Sequence, residues 1–468
     1  MNAAGGERED KGRNTMTSES HEQAPRLERT LGLGSVVAIG VAYTTPLIVL
    51  GIFGVVAEAS NGTVPAAYLA TFIAMVFTAY SYGRMSAVHP ISGSAYTYVG
   101  REMAPQLGFL AGWLILLDYF FLPMVAWLIA GAYLSSQFPG VPTAVWIIAF
   151  VLVTSILNII GIRVTARVNF LLVAFQLLVL GFFIALTIRS YVQGDTGASL
   201  WSPFWNQDTT VAAIAAGAAI GAYAFIGFDA ITTLTEETRD PSRTMPRAVL
   251  TVILFVGALF VITSYAAQLA HPGAAFDNVD SAALEIATEI GGNLFASFFL
   301  TSLIIAQFAA GLAVQATSSR LLYAMGRDGV LPRRILGYIQ PRFHTPVFGI
   351  ALIGIVGLAA LFLDVATSTS FINFGAFSAF TLVNLSLIAH FLRHRPQGVG
   401  AVLGWIALPF IGAIIDLYLL LALDINAKII GVVWLVIGVA LLAWLTRGFR
   451  EAPPQLSLDE ELALSEER

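Results

Sequence analysis

Ala38-Ile39-Gly40-Val41-Ala42-Tyr43-Thr44-Thr45-Pro46 lies inside one long apolar run, and Gly221-Ala222-Tyr223-Ala224-Phe225-Ile226-Gly227-Phe228-Asp229-Ala230-Ile231-Thr232-Thr233 lies inside another. Each run exceeds the ~20 mostly apolar residues that carry a helix across a bilayer. Neither reads as an unbroken helix. Pro46 lacks an N–H and its ring clashes with a carbonyl of the preceding turn, and Gly40 is conformationally loose. In the second run Gly227 stands two residues from a carboxylate. Both runs are predicted to break at mid-span, where the freed backbone groups must bond something other than lipid.

The rest of the chain gives these two runs their setting. Of 468 residues, 57% are hydrophobic and 11% charged, where a soluble chain is roughly a quarter charged; mean hydropathy is +0.79. Length alone would suggest about three soluble domains, but this hydropathy points to one membrane domain. Twelve apolar stretches qualify as spans: 33–57, 66–88, 107–135, 143–161, 168–189, 211–234, 247–269, 295–323, 347–364, 371–392, 401–422 and 429–446. The ten-residue alternation of a membrane barrel is not seen, so the expected class is an all-α membrane protein.

Lys and Arg set the orientation, because cytoplasmic loops collect them. With an even number of spans both tails share one side. Assigning them to the cytoplasm puts all of the 24 Lys and Arg on inner tails, loops or helix ends except Arg189 and Lys428. A miscounted span would scramble that split. The first 30 residues carry no apolar core or small-residue cleavage site and read as a flexible cytoplasmic tail. Glu451 to Arg468 reads as a second, acidic tail.

Several chemistries find no support. The chain has no cysteine, hence no disulfide, thiolate metal site or thiol nucleophile. There is no phosphate-binding loop, zinc-protease helix, nucleophile elbow or dinucleotide fingerprint. The six histidines show no metal-ligating pattern, and no basic cluster with interleaved aromatics suggests nucleic acid. No enzyme, cofactor or metal is expected, and any uphill transport must draw on an ion gradient.

The two interrupted runs are spans one and six, equivalent places in a five-plus-five arrangement whose odd repeat length inverts the second copy. Matching interruptions in two halves are the best sequence pointer to a transporter's binding site. Two carboxylates sharpen it. Asp118 falls near the centre of the third span and Asp229 inside the sixth; a carboxylate at a helix centre costs ~2.5–3.5 kcal/mol on insertion scales. No intramembrane Lys or Arg stands nearby in sequence. The remaining partners are a bound cation, a proton, or backbone amides and hydroxyls of an unwound segment. Tyr119, Tyr223, Phe225 and Phe228 could cover a bound ammonium through their ring faces, or simply pack. Gln307 in the eighth span and Asn373 in the tenth bond neighbouring helices by default, with a pore-lining role as the alternative. Glu236 and Glu237, at the inner end of the sixth span, suit interfacial pairing or a cytoplasmic gate latch. Asp416, outside the repeats, suits an oligomer or helix contact.

At these residues the chain resembles the amino acid–polyamine–organocation superfamily of permeases across residues 30–446. The matching pieces are Gly40 to Pro46, Gly93-Ser94-Ala95-Tyr96-Thr97-Tyr98, Phe225 to Asp229 with Glu236-Glu237, and Met325-Gly326-Arg327-Asp328 with Pro332. Leu116 to Met124, Arg320-Leu321-Leu322-Tyr323 and Ile372-Asn373-Phe374-Gly375-Ala376 look closer to its bacterial putrescine importers. The resemblance implies a LeuT-like inverted repeat of five plus five helices followed by two more. It gives a first repeat with its outer connection over 31–210, a second over 211–395, helices eleven and twelve over 396–448, and tails at 1–30 and 449–468. It also implies a substrate held between the broken helices, with Ala42, Tyr43, Thr44 and Gly227 in the site and spans three, eight and ten nearby. Secondary transport, usually proton-coupled, follows from it. Amino acid members commonly carry Gly-Ser-Gly in the first break, where amides hold the substrate carboxylate. Tyr43-Thr44-Thr45-Pro46 weakens that cradle, while Asp118 and Asp229 add negative groups. Putrescine or a related polyamine is therefore expected, with Asp118 on one ammonium and Asp229 on the other or carrying the proton. A neutral or cationic amino acid importer or exchanger is the alternative, and a non-transporting receptor is a third reading that counterflow in liposomes separates. Sodium stays open as coupling ion through the Ser318 and Ser319 hydroxyls.

Overall fold

The computed structural model describes residues 29–91, 94–161, 166–194, 199–327, 331–395, 398–451 and 453. Nearly all of the expected tail 1–30, most of 449–468, and Gly93 and Asp328 of the motifs above lie outside them. The helices are α1 (Leu33–Tyr43), α2 (Ile48–Gly51), α3 (Phe53–Ala59), α4 (Val64–Val88), α5 (Ser94–Glu102), α6 (Pro105–Gln137), α7 (Thr143–Ile160), α8 (Ala166–Gln193), α9 (Val211–Gly221), α10 (Pro241–Ala270), α11 (Ala282–Arg327), α12 (Arg333–Leu336), α13 (Val347–Gly357), α14 (Val365–His394), α15 (Val399–Val402), α16 (Leu408–Ala422) and α17 (Ile425–Leu445). Among the described residues eleven helical segments are long and apolar enough to cross a membrane, and the shorter Val347–Leu361 supplies the twelfth. The eighth stretch, expected over 295–323, is part of a longer helix. Gly292, at φ +65°, lets the helix that precedes it join the span with a kink, a conformation that glycine adopts without steric penalty.

Both expected breaks are present. α1 stops at Tyr43, Thr45 takes φ +47°, and the helix resumes at Ile48. In the sixth span α9 stops at Gly221, a tight 3₁₀ turn covers Ala222–Phe225, and Gly227 sits at φ +116°. The remainder, Ala230–Glu237, stays 3₁₀ rather than returning to α. Threonines account for it. The hydroxyls of Thr232 and Thr233 each donate to the carbonyl three residues back, at 2.6 Å, and Thr235 does the same to Thr232. Such back-bonding favours the tighter winding.

α4 and α10 form the central pair. Gly83 of α4 lies against Pro246 of α10, and Gly257 of α10 against Phe72 of α4, so the two backbones approach closely. α16 closes on α4 and α14 through a buried polar network. The Thr78 hydroxyl and the Asn384 amide donate to Asp416 Oδ2 at 2.8 and 2.9 Å, and Ser81 donates to Asn384 Oδ1. Asp416 is thus tied to two neighbouring helices, the contact its sequence position suggested. Asn384→Ala removes two of these bonds, and the amide's bond to the Thr78 hydroxyl at 3.2 Å, inside a buried core. Leaving buried polar groups unpaired costs about 1–3 kcal/mol each, so the variant is expected to lose about 2–4 kcal/mol of stability, read as a lower unfolding midpoint in detergent.

Candidate functional site

The two breaks touch. A Cβ built on Gly227 would stand 3.1 Å from the carbonyl carbon, carbonyl oxygen and Cβ of Tyr43. Any side chain there would force the Tyr43 backbone to give by a few tenths of an ångström, and the positive φ favours glycine independently. Beside this contact lies a cavity of about 350 Å³, in the range of small-ligand sites. Ala42, Tyr43, Thr44 and Thr45 from the first break line it, with Tyr223 and Ile226 from the second, Leu122 and Ala126 from α6, Gln176 from α8 and Gln307 from α11.

Of the expected site residues, Ala42, Tyr43, Thr44, Tyr223 and Gln307 therefore lie on the wall. Asp118, Tyr119, Phe225, Gly227, Phe228, Asp229 and Asn373 do not. Asp118 shares a face of α6 with Leu122 and Ala126, at the four-residue spacing of helical neighbours. It is buried, and its Oδ1 has no hydrogen-bond partner. Asp229 lies within electrostatic reach of it, and Tyr119 is in reach of both carboxylates and of Tyr43. Asp229 is placed differently: its Oδ1 accepts the Gly227 amide at 3.3 Å, with the amides of Asp229 and Ala230 also facing the carboxylate. Among the described residues no Lys or Arg forms an ion pair with either.

Phe225 and Phe228 point into the core. Phe225 meets Phe260 edge-on at 5.1 Å, and Phe228 packs on Tyr82 and Phe380 at 5.6 and 5.3 Å. Asn373 donates to the carbonyls of Ala219 and Ile220 at 2.7 and 3.2 Å, satisfying acceptors released where α9 ends. Gln307 is a different case: its Nε2 is buried at the cavity without a partner. Ser318 donates to the Tyr119 carbonyl, and Ser319 to the Ala316 carbonyl at 2.8 Å. Glu236 and Glu237 close the 3₁₀ segment. There the Glu237 carbonyl accepts the Leu31 amide, and the Arg239 amide donates to the Leu31 carbonyl, both at 2.9 Å. The approach to span one is thereby sewn to the exit of span six.

Sequence reasoning missed Gln176. Its Oε1 accepts the Leu47 N–H at 3.2 Å, one of the donors orphaned by the break. A lone amide in an apolar span carried the same signal as Gln307. Gln176→Leu leaves that N–H buried and unpaired, worth about 1–3 kcal/mol. About a tenfold fall in transport rate is expected, measured as initial uptake by proteoliposomes at matched protein.

Two mid-span breaks in contact, a cavity between them and intramembrane carboxylates behind its wall define the class: a membrane carrier with a discontinuous-helix binding site. The chain belongs to the amino acid permease family, whose model matches residues 34–451. It is 35% identical over 446 residues, 93% of this chain and 99% of the other, to the low-affinity putrescine importer PlaP of Escherichia coli. It is 26% identical over 437 residues, 88% and 90% of the two chains, to the branched-chain amino acid permease BcaP of Bacillus subtilis. The crystal structure of MhsT with L-phenylalanine superposes with a TM-score of 0.53 at 16% identity, covering 86% of this chain and 100% of that one. MhsT has the LeuT fold, so twelve spans, an inverted repeat of five plus five and two C-terminal helices describe this multi-pass membrane protein.

Proposed function

We propose that this chain is a secondary transporter, not an enzyme, that imports putrescine or a related polyamine across the bacterial inner membrane, driven by protons and with both termini in the cytoplasm. The observation that carries the reading is Asp118, a buried carboxylate with an unpartnered oxygen one turn from the cavity wall. A desolvated carboxylate needs a cation or a proton, and a diamine supplies the cation. Asp229 already shares its charge with backbone amides, which suits it to the second ammonium or to the coupling proton. The 35% identity to a putrescine importer supports the same substrate class. Repeats over 31–210 and 211–395 would rock about this site. The cavity runs toward Asn169 at the start of α8 and Thr317 late in α11, beside the arginine-rich ends, so the inner exit leads that way, past a latch at Glu236 and Glu237.

A second reading has its own observation. The orphan Gln307 Nε2 is a donor suited to a carboxylate, and with the likeness to BcaP it favours an amino acid, with sodium as the alternative coupling ion. Competition decides between them. Uptake of labelled putrescine by proteoliposomes with an inward proton gradient should be blocked by excess polyamine and spared by leucine and arginine. No putrescine uptake, with saturable uptake of labelled leucine or arginine by the same vesicles, would overturn the proposal.

A further inference from the structure

Away from the cavity, at the arginine-rich ends of the spans, four titratable side chains from three places in the chain meet. Glu102, the last residue of α5, is 3% exposed. Its Oε1 lies 2.6 Å from Nε2 of His89, which follows α4, and 2.8 Å from Nδ1 of His390 on α14. His394 is one helical turn on, its ring stacked on that of His390 at 4.1 Å, and Trp405 stacks on His390 at 4.9 Å. One donor atom from each of Glu102, His390 and His394 lies within 4.8 Å of the others. Glu102 is deep and His394 is exposed, so the group is pinned at one end and reached from the aqueous side at the other.

We propose that Glu102, His390 and His394 form a binding site for a divalent ion of the zinc class. Two imidazoles and a carboxylate are a ligand set zinc accepts, with the fourth position left to water. The i, i+4 spacing puts both imidazoles on one face of α14. His89 supplies the outer partner that bound carboxylates usually have, holding Glu102 in place. Ligand atoms around a tetrahedral ion at ~2.1 Å stand roughly 3.4 Å apart. The Glu102–His390 pair, 2.8 Å apart, must therefore open slightly, while His394, within 4.8 Å of both, must close in, and its exposed ring can move most. The ion takes the place of the hydrogen bond between His390 and Glu102.

Positive neighbours limit the affinity. Arg84 lies over the Trp405 ring at 4.2 Å, and Arg393 donates to the carbonyls of Arg101 and Met103 beside Glu102. Bound metal would clip α5, between spans two and three, to span ten, whose Asn373 also holds the end of α9.

The test uses tag-free purified chain, zinc competed against a fluorescent chelator, and cobalt(II) as a coloured stand-in. One equivalent of zinc per chain is expected, with a visible four-coordinate cobalt band from nitrogen and oxygen ligands. His394→Ala, at an exposed position, should weaken zinc at least tenfold with an unchanged metal-free unfolding midpoint; His390→Ala should weaken zinc as much, with a lower metal-free midpoint because it also removes the bond to Glu102. His271→Ala should change nothing. Its ring nitrogens already face Glu289 at 3.2 Å and the Ala275 carbonyl at 2.9 Å in a second His/Glu group. No zinc retained by the wild-type chain, no cobalt band, or undiminished affinity in both His390→Ala and His394→Ala would overturn the site. None of these readouts involves a polyamine, so their failure leaves the transport proposal untouched.

Discussion

Asp118→Asn is expected to lower putrescine uptake by proteoliposomes about 100-fold at sub-saturating substrate, while the protein folds and elutes like wild type. The two halves of that result have one cause. Removing one partner of a desolvated charge pair costs about 2–5 kcal/mol of binding, and tenfold in affinity corresponds to about 1.4 kcal/mol. The bound ammonium loses its counter-charge, so uptake falls. The substrate-free protein loses nothing comparable, because Asp118 Oδ1 has no hydrogen-bond partner to forfeit. An amide of the same shape is also easier to bury than a carboxylate. Asp229→Asn should differ in kind: that side chain accepts backbone amides, so its loss loosens the break as well as weakening binding. Normal putrescine uptake by Asp118→Asn would remove Asp118 from the site.

Gly227→Ala is expected to abolish transport and lower the unfolding midpoint. An L-residue held in a sparsely populated backbone region costs about 1–3 kcal/mol, and Gly227 sits at φ +116°. The added methyl also meets the carbonyl and Cβ of Tyr43 at 3.1 Å. The mutation therefore pushes apart the two breaks whose contact forms the site. Uptake should fall more than tenfold, with saturating putrescine unable to restore it. Gly181→Ala in α8, where nothing lies within 4 Å of the new atom, is the control. It should match wild type in uptake and be as stable or slightly more so, because alanine favours a helix over glycine by about 1 kcal/mol. Equal behaviour of the two variants, assayed side by side, would mean that the contact between the breaks does not matter.

These variants fall on features that differ in how readable they were. The breaks were legible because a proline without an N–H and a glycine in an apolar run are local steric facts. Asp118 and Asp229 were legible as energetic anomalies, whatever their neighbours. The direction of side chains past the second break was not. An α-helical projection assumes 3.6 residues per turn, but Ala222–Phe225 and Ala230–Glu237 wind at 3₁₀ pitch around a glycine of positive φ. Phe225 and Phe228, read as possible covers for a cation, face the core instead. Gln176 was missed because its partner, the Leu47 amide, is 129 residues away in sequence. The six histidines read as scattered in the sequence; the meaning of the His390–His394 spacing depends on Glu102 and His89, which only the folded chain brings beside them.

The central claim is that a buried, unpartnered carboxylate beside two touching helix breaks selects a cation. Thermal unfolding of the purified chain against a series of ligands tests it most directly, since a ligand stabilises the fold by RT ln(1 + [L]/Kd), about 2.7 kcal/mol at a hundredfold excess over Kd. Putrescine should raise the midpoint saturably in the wild-type chain and fail to do so in Asp118→Asn, with leucine and phenylalanine inert in both. A saturable rise with a zwitterionic amino acid and none with putrescine would contradict the account.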